Sequence, residues 1–245
     1  MPGLPGKADP AGNVTEGSAN LFCAIYKMKN ISLIDFGAGN LHSVYKALKF
    51  IGANVEITKD MGIIEKSDMV IFPGVGAFGA VMSAIKKNNL QEVIIKSAKS
   101  SKPFLGICVG MQVLFEDSEE NPNEKGLGIF KGKVVKFKKA RTVPHIGWNS
   151  VIARSEATKQ SANDLRNEIA SSGLSLPRND VNKFYFVHSY YVIPEDQSIV
   201  SGQTEYDSEK FTSIIKKDNL LAVQFHPEKS GDMGLELLKS FISSL

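Results

Sequence analysis

Apolar and polar residues first fall into a readable order at Ile31-Ser32-Leu33-Ile34-Asp35-Phe36, a short apolar run that stops at the Gly37-Ala38-Gly39 turn. Beyond it Leu41, Val44, Leu48 and Ile51 recur at spacings of 3, 4 and 3, one face of a helix, with Gly52 placed to close it. Residues 55–58 and 69–72 read as strands, the second continuously apolar, as strands covered on both faces are. Helical patterns over 77–87 and 90–99 lead into another apolar strand at 103–107. Strand and helix alternate, which predicts an α/β fold: a mostly parallel, doubly wound sheet with helices on both faces.

After Phe115 the texture changes. Residues 133–137, 148–152, 184–187 and 211–215 look like strands with no long helix between them, so an antiparallel section is expected beside the main sheet. Residues 220–225 form a last strand, and Met233, Leu237, Leu238 and Phe241 mark a C-terminal amphipathic helix. Two stretches fall outside the pattern. Residues 1–28 are rich in Gly, Pro and Asn and read as a flexible extension, with Met28 an alternative start. Residues 153–180 carry balanced charges and no aromatic side chain, and read as an exposed insertion in a domain spanning 29–245.

Length and charge narrow the class further. A chain of 245 residues suits one domain with appendages. Its formal charge of +3 is too small for the concentrated basic field of a nucleic-acid binder. The stretch 69–85 is uncharged but holds Pro73, Gly74, Gly76 and Gly79, so it reads as strand, loop and helix start and not as a membrane span. Cys23 and Cys108, 85 positions apart, make neither a metal-ligand pair nor a disulfide framework. A soluble, cytoplasmic protein is expected.

Chemistry concentrates at Gly106-Ile107-Cys108-Val109-Gly110, where a buried strand turns sharply into a helix containing Val113, Leu114 and Phe115. This is the layout of a nucleophile elbow, here with a thiol. The helix N-terminus behind it favours negative charge, and the Val109 N–H can face an oxyanion. A base must come from His42, His145, His188 or His226. His226 directly follows the apolar strand 221–225, which puts it at the same sheet edge as Cys108; Glu228, two residues on, is placed to orient its ring. Pro73-Gly74-Val75-Gly76-Ala77-Phe78-Gly79 also follows a strand and offers backbone N–H groups to an anion, without the Gly-Lys-Ser/Thr of a phosphate loop. Asp35 to Asn40 is a plain strand-to-helix turn, since the glycine pattern of a dinucleotide site breaks at His42.

GICVGMQVLFEDSEE, QFHPEKS, FPGVGAFG, DFGAGNLHSV, PHIGWN and FVHSYYV together resemble the class I glutamine amidotransferases. Within that class they are similar to the glutaminase subunit of imidazole glycerol phosphate synthase over roughly residues 29–245. The resemblance implies a flavodoxin-like sheet and a Cys108–His226–Glu228 triad releasing ammonia from L-glutamine through a thioester, without metal or other cofactor. It makes Gly74, Val75 and Gly76 an oxyanion strand that rearranges when the partner's site is occupied. Gln112 and Glu120 match positions that hold glutamine, and His188, Ser189 and Tyr190 match the segment receiving its α-amino and carboxylate ends. The implied partner is a separate (β/α)₈ cyclase subunit in a heterodimer, with Pro144, Trp148, Asn149, Tyr190 and Lys229 near the interface. No nucleic-acid or membrane partner is implied.

Blander readings stand beside these. Trp148 suits an ordinary core or hairpin aromatic, Tyr190 and Tyr191 suit sheet packing, and Lys131, Lys133, Lys136, Lys138, Lys139 and Arg141 suit a solvated strand edge. An amidotransferase serving another ammonia-using synthetase, or a non-catalytic interaction protein on the same fold, remains an alternative at this point.

Overall fold

A computed structural model describes residues 29–37, 41–153 and 183–243. The expected extension at 1–28, Cys23 within it, and all but Ala153 of the expected insertion lie outside the described residues. The strands in chain order are β1 (Asn30–Ile34), β2 (Asn54–Thr58), β3 (Met69–Gly74), β4 (Phe104–Cys108), β5 (Asp117–Ser118), β6 (Gly132–Lys136) and β7 (His145–Ser150). They continue with β8 (Ile152–Ala153), β9 (Lys183–His188), β10 (Tyr190–Pro194), β11 (Val200–Tyr206), β12 (Glu209–Lys217) and β13 (Leu220–Val223). The helices are α1 (Leu41–Phe50), α2 (Met61–Lys66), α3 (Phe78–Lys87), α4 (Gln91–Lys99), α5 (Val109–Gln112) and α6 (Gly231–Ser243).

The main sheet runs β2-β1-β3-β4-β13-β12-β11-β8. Pairing is parallel from β2 to β13 and antiparallel from there to β8. The parallel half therefore has the flavodoxin-like order, in which ligands bind beyond the carboxyl ends of the strands. Its central strands are apolar on both sides because both faces are covered: Val70, Ile71, Phe72, Phe104 and Leu105 are fully buried. A small sheet, β10-β6-β5, and a two-stranded ribbon, β7-β9, complete the fold. Phe184 on the ribbon stacks on Phe225 after β13, with ring centroids 4.0 Å apart, which fixes the ribbon beside the carboxyl ends.

Several expectations need correction. The helix after Cys108 is a single turn, α5; Val113 is its C-cap, and Leu114 and Phe115 lie beyond it. The helix N-terminus expected behind the cysteine is present, but with only the first-turn N–H groups behind it. The predicted strand 148–152 is two elements in different sheets, β7 and β8. The basic stretch is no strand edge: Lys133 and Lys136 lie in β6, which is paired on both sides, by β10 and by β5, and the other basic residues lie outside that strand; all are exposed. Trp148 is not a core residue, being 55% exposed. Helix α2 and strands β10 and β11 are additional elements; Asp60 caps α2 by accepting from the Ile63 N–H at 3.1 Å.

Candidate active site

Parallel pairing of β3 with β4 sets Gly74 directly opposite Cys108. The two backbones approach so closely that a Cβ on Gly74 would sit 2.3 Å from the Gly110 nitrogen, so no larger residue fits there. Gly76 has open space around it but φ +126°, a backbone state that L side chains rarely adopt. The glycine loop is thus shaped by close approach at its start and by backbone freedom two residues later. Val75 between them is 37% exposed. Cys108 itself has φ 54° and ψ −112°, a strained conformation for a residue with a Cβ, and its side chain is buried. Strain of this kind costs about 1–3 kcal/mol and survives where the surroundings enforce it. Here the sharp turn from β4 into α5 puts Cys108 at the carboxyl edge of the sheet.

On the other side of β4, β13 pairs Val223 with Ile107 and so carries the chain past Cys108 to His226. The His226 backbone N–H donates to the Tyr185 carbonyl at 2.9 Å, and its own carbonyl accepts from the Ser230 hydroxyl at 2.6 Å. These bonds lock the turn between the ribbon and α6. The ring's Nδ1 lies 2.8 Å from Glu228 Oε1, with both side chains 2% exposed. Its Nε2 has no conventional hydrogen-bond partner among the described residues, and Cys108 is the side chain acting on it most strongly. Burial opposes charging of the ring; the Cys108 sulfur, and after it the Glu228 carboxylate, outweigh burial and raise its pKa to about 10. Cys108, His226 and Glu228 are brought together in that order, with the acid on the ring nitrogen away from the sulfur.

The other expected residues gather around this row in varying degree. Gln112 is 2% exposed, and its Nε2 donates to the Tyr190 carbonyl at 2.9 Å and to Gln224 Oε1 at 3.0 Å. Glu120 accepts from the Phe78 N–H at 2.7 Å, tying the start of α3 beneath the glycine loop. It also faces Tyr190, whose phenol is raised by burial and then by Glu120 and Glu119. His188 is buried at the end of β9, its Nδ1 2.8 Å from the Tyr190 carbonyl; burial lowers its pKa to about 3. Ser189 joins β9 to β10, its carbonyl accepting from the Phe137 N–H at 3.2 Å. On the ribbon's outer side Trp148 packs edge-on to Tyr185, ring centroids 6.2 Å apart, and Lys229 lies over the same ring at 5.9 Å. Pro144 is exposed just before β7, and Asn149 is half-buried within it. His42 lies on α1.

Two residues, Gln224 and Glu209, escaped the sequence reading, and His145, weighed only as a candidate base, has another place. Gln224 donates to Cys108 Sγ at 3.6 Å, yet it reads as one more position of an apolar strand. His145 pairs with His188 across the ribbon, Nδ1 to Nε2 at 3.3 Å. Glu209 is a buried carboxylate accepting from the Lys138 and Lys139 N–H groups and the Tyr191 hydroxyl. Among the described residues no group of three or more His, Cys, Asp or Glu is arranged to hold a metal ion, and no helix is long and apolar enough to cross a membrane.

A cysteine at a strained elbow, a histidine and a carboxylate in line, and a glycine loop alongside are the parts that thiol acyl transfer uses. The family profile "Glutamine amidotransferase class-I" matches residues 32–244. The chain belongs to the class I glutamine amidotransferases. Among curated relatives, this amidotransferase is 46% identical to "Imidazole glycerol phosphate synthase subunit HisH" of Pyrococcus furiosus, over 87% of this chain and 98% of the relative. It is 42% identical to "Imidazole glycerol phosphate synthase hisHF" of Schizosaccharomyces pombe, over 87% of this chain and 38% of that longer one. Among solved structures, that of PurLQS from Thermotoga maritima matches with TM-score 0.65 at 16% identity, covering 87% of this amidotransferase and 97% of the other chain. At that identity the likeness is one of fold.

Proposed function

We propose that this amidotransferase is the glutamine-hydrolysing subunit of an imidazole glycerol phosphate synthase, feeding ammonia to a cyclase in histidine biosynthesis. The Cys108 thiolate attacks the side-chain amide carbon of L-glutamine, and the tetrahedral oxyanion takes hydrogen bonds from the Val109 N–H and from a peptide N–H within Gly74 to Gly76. Protonated His226 gives its proton to the amide nitrogen, the C–N bond breaks, and ammonia leaves a γ-glutamyl thioester on the sulfur. The now neutral imidazole removes a proton from water, whose oxygen displaces the thiolate and releases glutamate. Glu228 fixes the ring's tautomer and supports its positive charge. Glu120, His188, Ser189 and Tyr190 border the space for glutamine. Gln112 stands with them, although both of its N–H groups are already donated within the protein. The sequence of bond changes requires no metal and no organic cofactor.

The partner in this proposal is a (β/α)₈ cyclase subunit, docked on the face that carries Pro144, Trp148, Asn149 and Lys229. Exposed Ile146, at 58%, and Trp148, at 55%, give that face apolar anchors of the kind interfaces use. The name hisHF of the longer Schizosaccharomyces pombe relative, of which this chain covers 38%, supports a companion of this kind. We assign the reaction to residues 29–245, with 153–180 as an insertion dispensable to it, and to the cytoplasm.

The observation that carries the proposal is the Cys108–His226–Glu228 row beside Gly74, in a chain 46% identical to a HisH subunit over 98% of that subunit's length. With a cyclase present, Cys108→Ala should abolish synthesis from glutamine and leave synthesis from free ammonia intact. Glutamine-dependent synthesis surviving in Cys108→Ala would overturn the assignment. Glutamine hydrolysis by the parent chain coupled only to a different synthetase would keep the chemistry and overturn the acceptor.

A further inference from the structure

The hydrogen bonds around the Cys108 sulfur continue past the triad into a chain whose direction is set at every link. Gln224 follows β13 beside Cys108 and donates from Nε2 to Cys108 Sγ at 3.6 Å. Its Oε1 accepts from Gln112 Nε2 at 3.0 Å, so flipping this amide would set N–H against N–H. Gln112 donates its other N–H to the Tyr190 carbonyl at 2.9 Å, and the same carbonyl is 2.8 Å from His188 Nδ1. A carbonyl only accepts, so His188 holds its proton on Nδ1 and, as a neutral ring, offers Nε2 as an acceptor. That acceptor faces His145 Nδ1 at 3.3 Å, which makes His145 an Nδ1–H tautomer as well. His145 Nε2 then accepts from Asn149 Nδ2 at 3.4 Å. Asn149 is oriented independently: Nδ2 also donates to the Glu205 carbonyl at 2.9 Å, and Oδ1 accepts from the Ser150 N–H at 2.7 Å.

The chain is costly unless it does something. Gln224, Gln112, His145 and His188 are between 0% and 6% exposed, the two rings among Phe137, Phe186 and Phe211, and apolar residues of the same shape would pack there without desolvating amides and imidazoles. Burial keeps both rings neutral, with pKa values lowered to about 4 for His145 and about 3 for His188, so the donor order holds throughout the neutral range. One end of the chain is a donor on the sulfur. The other is a half-buried residue on the β7–β9 ribbon, whose Tyr185 carbonyl also holds the His226 backbone.

We propose that Gln224 is a positioning residue for the Cys108 sulfur, oriented by Gln112 and the Tyr190 carbonyl, which His188, His145 and Asn149 brace from the ribbon. This rests on Cys108 being the nucleophile. An amide N–H aimed at the sulfur stabilises the thiolate and fixes its approach to the substrate carbon; the fixed donor order keeps that amide from turning its oxygen to the sulfur instead.

The test uses the full chain, first alone, where no partner contact can be lost. Alkylation of Cys108 by iodoacetamide is followed on the Cys108-bearing peptide by mass spectrometry, and ¹⁵N-histidine spectra report the ring tautomers. Gln224→Met, which keeps the side chain's length and removes its amide, should slow alkylation about tenfold, since hydrogen bonds to charged groups are the stronger class. With a cyclase added it should lower kcat for glutamine by a similar factor and leave KM within about twofold. Asn149→Ala should slow alkylation in the same direction by a smaller factor. His145 and His188 should both appear as neutral Nδ1–H rings in the unaltered chain. Parent-rate alkylation in folded Gln224→Met, or an Nε2–H tautomer at either histidine, would overturn the proposal. Should Gln224→Met fail to fold, the tautomers and Asn149→Ala still decide. Cys108→Ala separates the two levels: loss of hydrolysis there with an indifferent Gln224→Met sinks only the positioning role, whereas retained hydrolysis sinks the nucleophile.

Discussion

Glu228→Gln preserves the shape of the group beside His226 and removes its charge. The pair is separated by 2.8 Å with both side chains 2% exposed, so solvent screens it little. With ~4 Å between charge centres and an effective dielectric of about 20, the attraction on a full imidazolium is about 4 kcal/mol, or about 10³ in rate. The glutamine oxygen still accepts from Nδ1 and recovers part of this, so a loss of about 10²–10³ in kcat is expected. The loss should fall on kcat, because the neutral ring regains the charge that Glu228 supports as it takes the proton from water. The assay is glutamate release with cyclase and nucleotide present, beside ammonia-dependent synthesis, which should be unaffected.

The same substitution has a signature in pH. His226 is raised above its usual value, to about 10, against burial, by Cys108 and then by Glu228. A group raised on folding adds stability that is complete below its unfolded pKa, about 6.5, and is lost as pH rises through the folded value. Glu228→Gln should therefore shrink the excess stability at pH 6 over pH 10 and move the basic limb of the rate profile downward. Glu228 Oε2 is buried with no partner among the described residues, so an amide placed there leaves N–H groups unpaired and costs about 1–3 kcal/mol as well. A variant with kcat within threefold of the parent and an unmoved pH profile would refute the orienting role of Glu228.

Other changes probe other parts. Gly74→Ala places a Cβ 2.3 Å from the Gly110 nitrogen and should lower both the melting temperature and glutaminase activity, whereas Gly76→Ala meets no atom and should act through its φ of +126° alone, so equal losses of thermal stability would contradict the geometry. Glu209 is held below the usual carboxylate range although burial raises it, because the Lys139 N–H, the Tyr191 hydroxyl and the Lys138 N–H all donate to it. A depressed carboxylate adds stability above its unfolded pKa and loses it as pH falls through the folded one, so Glu209→Gln should flatten the acid limb of an unfolding profile and cost about 1–3 kcal/mol at pH 7. Trp148→Ala, at a residue 55% exposed, should weaken cyclase binding measured by calorimetry while leaving the melting temperature of the isolated chain within about 2 °C.

The parallel half of the sheet was legible because each buried strand is an unbroken apolar run, as at Val70, Ile71 and Phe72, and each early helix spans enough turns for Leu41, Val44 and Leu48 to repeat. Helix α2 was not: its six residues give one turn and a half, too short for periodicity, and its clearest signal was the Asp60 cap. Strand β11 is made of mixed polar residues at the far side of the main sheet, and β10, although apolar, is parted from β9 by Ser189 alone, so no turn signal marks it as a separate strand. Cys108 and His226 could be found because glycine and proline punctuate the strand ends that hold them. Gln224 could not, since a polar residue inside an apolar strand carries no mark of what it faces. His145 and His188 are 43 positions apart, and only the antiparallel register of β7 with β9 brings them together. The single turn of α5 was misjudged because Val113, Leu114 and Phe115 continue an apolar pattern that the chain satisfies by packing in a loop.

The claim that this chain cuts glutamine and delivers the nitrogen is tested most directly by isotope transfer. The complex with a cyclase is given its nucleotide substrate, glutamine labelled with ¹⁵N at the side-chain amide, and an excess of unlabelled ammonium at a pH where free ammonia is scarce. The predicted result is imidazole glycerol phosphate carrying one ¹⁵N at nearly full enrichment, with the label absent when Cys108→Ala replaces the parent. Product labelled only to the level of the mixed bulk ammonia, or label that persists without the Cys108 sulfur, would contradict it.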